Sequence, residues 1–173
     1  MQQWEPNVEI EPLVGILVEA ATGISLAEYL STKIWVPYGM QQDASWVVSS
    51  TDEPISGCCI QAAPRDYARF GQMILEGGLI DGVSIGPEGW VVAATGKQVP
   101  FNGGSGYGYQ WWVEDDVSFM ARGIFGQGIF IDPSRDLVIA TNSSWTDARG
   151  RTEGQAAERA EFFAAVQMAI DNE

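Results

Sequence analysis

The 173 residues are 46% apolar, enough for one domain with its own core or for part of a larger one. A formal charge of -14 argues against a nucleic-acid partner and against anionic membrane surfaces, and reads most simply as a solvated acidic exterior. Histidine is absent, which removes Ser-His-Asp and Cys-His machinery and nearly all zinc chemistry. Any nucleophile would need Lys, Tyr or a carboxylate as its base.

No run approaches the ~18 apolar residues of a membrane helix. The opening Met1-Gln2-Gln3-Trp4-Glu5-Pro6 has neither the basic nor the apolar region of a secretion signal, and the compartment stays open. Cys58 and Cys59 are neighbours, so they cannot close an ordinary loop, and buried thiols are the expectation. Without histidine or further cysteine, neither a metal nor a cofactor is expected.

In chain order, Ile10, Leu13, Val14, Leu17 and Ala21 recur at helical spacing, with Gly23 where a C-cap belongs. Ser25 and Glu28 form a capping box opening a second helix, with Leu26, Tyr29, Leu30 and Ile34 on one face and Pro37 and Gly39 as its end. A loop runs through Asp43-Ala44-Ser45-Trp46 to Pro54 and Gly57. Pro64 starts a third helix that turns Tyr67, Phe70, Met73 and Ile74 inward and stops at Gly77-Gly78. Residues 79–106 are irregular, with a short helix near 87–95 and a flexible glycine-rich entry at Asn102–Gly106.

Three β-rich runs then follow: Tyr107–Val113, Gly128–Ile131 and Leu137–Thr141. Turn formers join them at Glu114-Asp115-Asp116 and at Asp132–Asp136, and Ser118–Gly123 leads into the middle run. Ala156, Ala160, Phe163, Val166 and Ile170 give a closing helix over one sheet face. The expected fold is mixed α/β (α+β), with a mainly helical part over 1–106 and, over 107–173, a three-stranded antiparallel sheet with a C-terminal helix.

Ser31-Thr32-Lys33 falls one residue short of Ser-x-x-Lys, which occurs nowhere, so Lys33 reads as a solvated helix-end residue. The Gly-x-Ser-x-Gly pattern of a nucleophile elbow is likewise expected to be missing. The glycines of Gly104–Gly108 precede a strand and lack Gly-Lys-Ser/Thr, so they make a hinge and not a phosphate loop. Asp115 and Asp116 read as turn residues and not as a paired acid and base. Trp111 and Trp112 point to opposite strand faces. Arg122-Gly123-Ile124-Phe125-Gly126-Gln127 is open to two readings: a simple bulge, or a close approach to a ligand with free N–H groups serving as oxyanion donors.

Taken together, Leu13-Val14-Gly15, Ala21-Thr22-Gly23, Leu26–Leu30, Lys33–Met40, Asp43–Trp46, Gly57–Ile60, Arg65–Gly71, Gly106–Trp112 and Gly123–Gln127 through Asp132-Pro133 resemble a serine β-lactamase-like hydrolase. The resemblance is to the later part of that fold, in the branch of class C β-lactamases, their esterase relatives and the 6-aminohexanoate-dimer hydrolases. It implies acyl-enzyme hydrolysis of a small-molecule ester, amide or β-lactam. The family's Ser-x-x-Lys pair lies upstream of every matched segment. One family tyrosine falls near Pro6 and another at Ser45 or Trp46, where no tyrosine stands, and Ala121-Arg122-Gly123 occupies the Lys-Thr-Gly position.

By this resemblance the backbone N–H of Ile124 is one oxyanion donor. Trp46, Tyr107, Tyr109, Arg122, Gly123, Gly126 and Gln127 line the substrate side. An incomplete sheet further implies an exposed edge and apolar face, hence self-association or marginal stability. A non-catalytic binding or assembly module is the alternative.

Overall fold

The computed structural model describes residues 11–50, 52, 54–115 and 117–172. Ile10, Pro6, the opening six residues and Asp116, all used in the sequence argument, lie outside that set. The chain divides into two compact units, Met1–Ala63 and Pro64–Glu173.

In the first unit, α1 (Glu11–Thr22) ends at Gly23, whose φ of 73° is the left-handed cap its sequence position requires. The Gly23 N–H donates to the Glu19 carbonyl at 2.8 Å. Ser25 Oγ accepts from the Glu28 N–H at 3.2 Å and so starts α2 (Leu26–Leu30), which continues as a π-helical turn over Ser31–Trp35. The apolar stripe of α1 forms its helix but does not bury it: Leu13, Val14, Ile16 and Leu17 are all exposed. At Gly15, by contrast, an added Cβ would collide with Ser56. Two-residue strands β1 (Ser45–Trp46) and β2 (Ile60–Gln61) pair antiparallel.

The expectation of buried thiols is corrected here. Cys58 and Cys59 are exposed and joined to each other as a vicinal disulfide, with Cys59 at φ 79°. Adjacent cysteines staple no distant segments, but bonding to each other remains open to them.

The second unit opens with α3 (Pro64–Leu75), started by Pro64 and stopped by Gly77 and Gly78 at positive φ. A small hairpin, β3 (Leu79–Ile80) with β4 (Val83–Ser84), and α4 (Trp90–Thr95) follow. The sheet has six antiparallel strands and not three. In order they are β5 (Val99–Pro100), β6 (Gly106–Tyr107), β7 (Trp112–Val113), β8 (Phe119–Arg122), β9 (Gly128–Asp132) and β10 (Leu137–Thr141).

Three features account for the higher number, the first being that Val99–Pro100, in the stretch expected to be irregular, pairs with β6 as an added strand. The aromatic run Tyr107–Val113 is broken by a turn in which the Gly108 N–H donates to the Trp111 carbonyl at 2.8 Å and Gln110 takes φ 68°. Ser118–Gly123, expected only as a lead-in, supplies β8 as a strand of its own. Asp115 fixes the turn before it: Oδ1 accepts from the Val117 and Ser118 N–H groups at 2.7 and 2.6 Å. Burial pushes this carboxyl up, but the hydrogen bonds from Ser118 and Val117 outweigh it and hold it below its ordinary value.

The strand register sorts side chains onto two faces. Tyr107, Trp112, Met120, Phe130 and Ile139 form one row, and Gly106, Val113, Phe119, Ile131 and Val138 the other. The closing helix α5 (Gln155–Asp171) covers the first face, with Phe163 stacked on Phe130 at 5.0 Å beside Met120, Leu137 and Ile139. On the opposite face Gly71 of α3 comes so close that a Cβ would lie 2.6 Å from Val138 and 2.7 Å from Ile129. β9 is buried along its whole length and Ile131 completely, which for that side chain is worth about 2–3 kcal/mol.

The buried Asp132 ends β9. It accepts from the Ser134 N–H and Oγ at 3.0 and 2.6 Å, Arg135 Nη1 at 2.7 Å and Gln167 Nε2 at 2.7 Å. Arg135 also pairs with Asp171 at 2.7 Å, so the β9–β10 turn is tied to the end of α5.

Candidate active site

β8 and β9 are joined by a tight connection that carries the predicted oxyanion donor. Gly123 is extended, Ile124–Gly126 form one 3-10 turn, and Phe125 (φ 59°) and Gly126 (φ 95°) both take left-handed backbone. Such a conformation is unfavourable for Phe125 and persists only where surrounding contacts fix it. The Gly123 N–H donates to the Gln127 carbonyl at 3.0 Å, and the Phe125 N–H to the Ala148 carbonyl at 3.0 Å. Ile124 lies between these committed donors as first residue of the turn, where the backbone N–H has no partner within the turn. Its side chain is 64% exposed.

A buttress that the sequence argument missed holds this turn: the loop from Asn142 to Gly150. The Trp145 N–H donates to the Phe125 carbonyl at 3.2 Å, Gln127 Nε2 to the Ser143 carbonyl at 3.1 Å, and Thr141 Oγ1 to the Gly126 carbonyl at 3.2 Å. The Trp145 ring fills the space beside Gly126, where a Cβ would lie 2.6 Å from the indole, and beside Gly150, where a Cβ would collide with it. Arg159 of α5 places its guanidinium 4.6 Å from the centre of the same ring.

Burial lowers the Arg159 pKa, and the nearby Arg122 charge adds to that. Arg159 Nη1 and Gln127 Oε1 are buried without a hydrogen-bond partner. Asp147 shapes the loop: it accepts from the Thr152, Arg149 and Arg151 N–H groups at 2.9, 2.9 and 3.3 Å. These bonds, the Thr152 one foremost, bring its carboxyl down to about 2. The available signal was a tryptophan within a polar run directly after a β-strand, followed by Gly150.

The structure gathers Gly123, Ile124, Gly126 and Gln127 into this one connection. Tyr107 and Arg122 share instead the sheet face that α5 covers: Tyr107 packs edge-on against Trp112 at 5.0 Å, and Arg122 lies over the Trp112 ring at 5.2 Å while pairing with Glu114. Tyr109 stacks on Trp90 at 5.5 Å, with its N–H bonded to the Ala94 carbonyl.

Trp46 belongs to the first unit. Its indole N–H is shared between the Ile55 and Cys58 carbonyls at 2.9 and 2.8 Å. Its ring lines a cavity of about 290 Å³ together with Leu30, Ser31, Trp35, Asp43 and Ile60.

The letters Gly-x-Ser-x-Gly do occur, at Gly82-Val83-Ser84-Ile85-Gly86, contrary to expectation. Ser84 sits in the β3–β4 hairpin with Oγ donating to the Gly86 carbonyl at 2.8 Å, which is not the strand-to-helix turn of a nucleophile elbow. Lys33 is exposed, as expected. Among the described residues, no group of three or more His, Cys, Asp or Glu could hold a metal ion, and no single helix is long and apolar enough to cross a membrane.

The chain is similar to known proteins over most of its length. The family model described as Beta-lactamase matches residues 6–162. The 6-aminohexanoate-dimer hydrolase of Paenarthrobacter ureafaciens is 34% identical over 144 residues, 76% of this chain and 36% of that protein. A Bacillus anthracis structure assigned as a 6-aminohexanoate-dimer hydrolase superposes with a TM-score of 0.78 at 25% identity, over 95% of this chain and 45% of that one. A penicillin-binding protein of Bacillus halodurans shares the fold at a TM-score of 0.62 and 15% identity, over 92% of this chain and 56% of that one. The chain therefore spans less than half the length of the first two relatives. On the extent of the family match and the identity to the Paenarthrobacter hydrolase, this chain belongs to the beta-lactamase family, and its mixed α/β fold is that of the serine β-lactamase-like hydrolases.

Proposed function

We propose that the β8–β9 connection is the oxyanion wall of an acyl-transfer site acting on a small ester, amide or β-lactam, with Ile124 N–H as one donor. The carrying observation is the Ile124 amide itself, held in a strained turn between two neighbours whose own N–H groups are already bonded. A fixed donor of this kind acts where negative charge develops, and one such donor is commonly worth about 10²–10³ in rate. Gly123, Gly126 and Gln127 form the immediate surroundings. Tyr109 and Trp46 are candidate substrate contacts in their own units, whereas Tyr107 and Arg122 support the strand from its α5 side.

The 173 residues contain no Ser-x-x-Lys, so under this proposal the nucleophile and its base come from outside them, and this segment alone turns over little. The test is intact-mass spectrometry after incubation with an activated ester and a chromogenic β-lactam, with released chromophore followed in parallel. Neither adduct nor release is expected. Supplying the part of the Paenarthrobacter hydrolase that precedes the matched segment should produce a stoichiometric acyl adduct. Adduct and turnover from the 173 residues alone would overturn the proposal.

A second reading, a non-catalytic assembly module, is favoured by the exposed apolar stripe of α1 and by β10 as an edge strand of the sheet. It calls for self-association, visible as concentration-dependent sedimentation that a Leu17→Glu substitution weakens. A monomer at every concentration would remove it.

A further inference from the structure

We propose that Cys58–Cys59 is a thiol–disulfide exchange site for dithiol reductants, and that its redox state decides whether the Trp46 indole is held in place. The inference concerns the first unit alone and does not depend on the hydrolase reading above.

A structural staple is poorly served by this bond. Disulfides stabilise chiefly by closing loops in the unfolded chain, and two adjacent cysteines close almost none. Both residues are exposed, which meets the access requirement for attack by an external thiolate. Cys59 sits at φ 79°, a left-handed conformation disfavoured for a residue with a Cβ, and the covalent link to Cys58 restrains it there.

The backbone of this pair is also what Trp46 is tied to. Cys58 O accepts from Trp46 Nε1 at 2.8 Å, and Cys59 O accepts from the Val47 N–H at 3.2 Å. The Cys58 N–H donates to Ile55 O at 3.1 Å, the same oxygen that takes the other half of the indole hydrogen bond at 2.9 Å. A turn about φ of Cys59 reorients the 58–59 peptide, which carries the Cys58 carbonyl. Opening the disulfide frees that turn, and the acceptor leaves the indole. Trp46 lines the 290 Å³ cavity beside Trp35 and Asp43, so the cavity's wall changes with the bond.

The chemistry balances as an ordinary exchange. A thiolate of the reductant attacks one sulfur, the Cys58–Cys59 bond breaks, and the other sulfur leaves as thiolate and takes up a proton. The reductant's second thiol then resolves the mixed disulfide. The protein gains two electrons and two protons, and the dithiol becomes a cyclic disulfide.

The test uses wild-type protein purified without reductant, with dithiothreitol as probe and glutathione disulfide for reoxidation. Alkylation and intact mass count the free thiols, expected to go from none to two on reduction and back on reoxidation. The Trp46 indole resonance, identified by its loss in Trp46→Phe, should shift on reduction. Hydrogen exchange at that indole and at the Val47 amide should rise about fivefold, the factor expected for losing one ordinary hydrogen bond. Cys58→Ser should reproduce the reduced spectrum without dithiothreitol, and reoxidation of the wild type should restore the original one with no substitution at all. Two free thiols that persist under glutathione disulfide would overturn the proposal. Reversible reduction that leaves the Trp46 indole and the Val47 amide unmoved would also overturn it.

Discussion

The two units of the chain differ in how their apolar residues are used. Residues 64–172 carry every buried large side chain among those described, from Met73 and Ile74 on α3 to Phe163 on α5. Between residues 13 and 63 the only buried position among the described residues is Gly15, and four apolar side chains of α1 face outward. The contrast is one of partner and not of propensity. α1 is capped at its C-terminal end by Gly23 and regularly spaced, but a helix draws most of its stability from the surface it packs against. β9 has such surfaces on both sides.

The largest expected effect is in the sheet. Phe130→Ala removes the ring stacked on Phe163 and should lower the unfolding free energy by about 3–5 kcal/mol in urea titrations. A loss near 1 kcal/mol would mean that the α5 face is not a packed core.

Asp132→Asn comes next, at about 2–3 kcal/mol, because one buried carboxylate serves Ser134, Arg135 and Gln167 together. Burial raises its pKa, and the hydrogen bonds from Ser134, Gln167 and Arg135 more than reverse that, so its folded value lies below 3.8. Stability from this group is therefore complete above the unfolded value and is lost as pH falls through the folded one. The gap between wild type and Asp132→Asn should be constant above about pH 5 and close on acidification below about pH 4. A gap that widens with acid would reverse the assigned sign.

Gly126→Ala should cost about 1–3 kcal/mol by thermal melting, since it meets both a φ of 95° and the Trp145 ring. At the small end stand Leu17→Ser in the first unit and Glu114→Ala beside Arg122, each within about 0.5 kcal/mol. A Leu17→Ser loss as large as that of Phe130→Ala would erase the contrast between the units. Amide exchange by mass spectrometry sharpens it further, with α1 exchanging well ahead of β9.

Helices and their ends were legible because caps are local: Gly23, the Ser25 hydroxyl at Glu28, Pro64 and Gly77-Gly78 each act within one turn of chain. The strand number was less legible. Tyr107–Val113 has the composition of one continuous strand, but Gln110 at φ 68° folds it back, and nothing in an aromatic run announces that turn. The face assignments were hidden for a related reason, since Tyr107 and Arg122 are placed by cross-strand register, which depends on partners far away in sequence. At the candidate site the glycines of 123–127 gave the connection itself. Its support from Ser143, Trp145 and Ala148 could not be read from residues 16 or more positions away. The cysteine pair was misread because adjacency was taken to exclude bonding when it excludes only loop closure.

Trp145 carries a consequence for how such a chain can evolve. Its ring occupies the space that side-chain carbons at positions 126 and 150 would need, and Arg159 sits over its face. These four positions therefore form one unit of inheritance. While the ring stays, neither glycine can drift; if it shrinks, both are freed from crowding yet still held by φ values of 95° and 62°. Divergence around the Ile124 amide then has to begin at the tryptophan, with the glycines free to follow only where the backbone also turns.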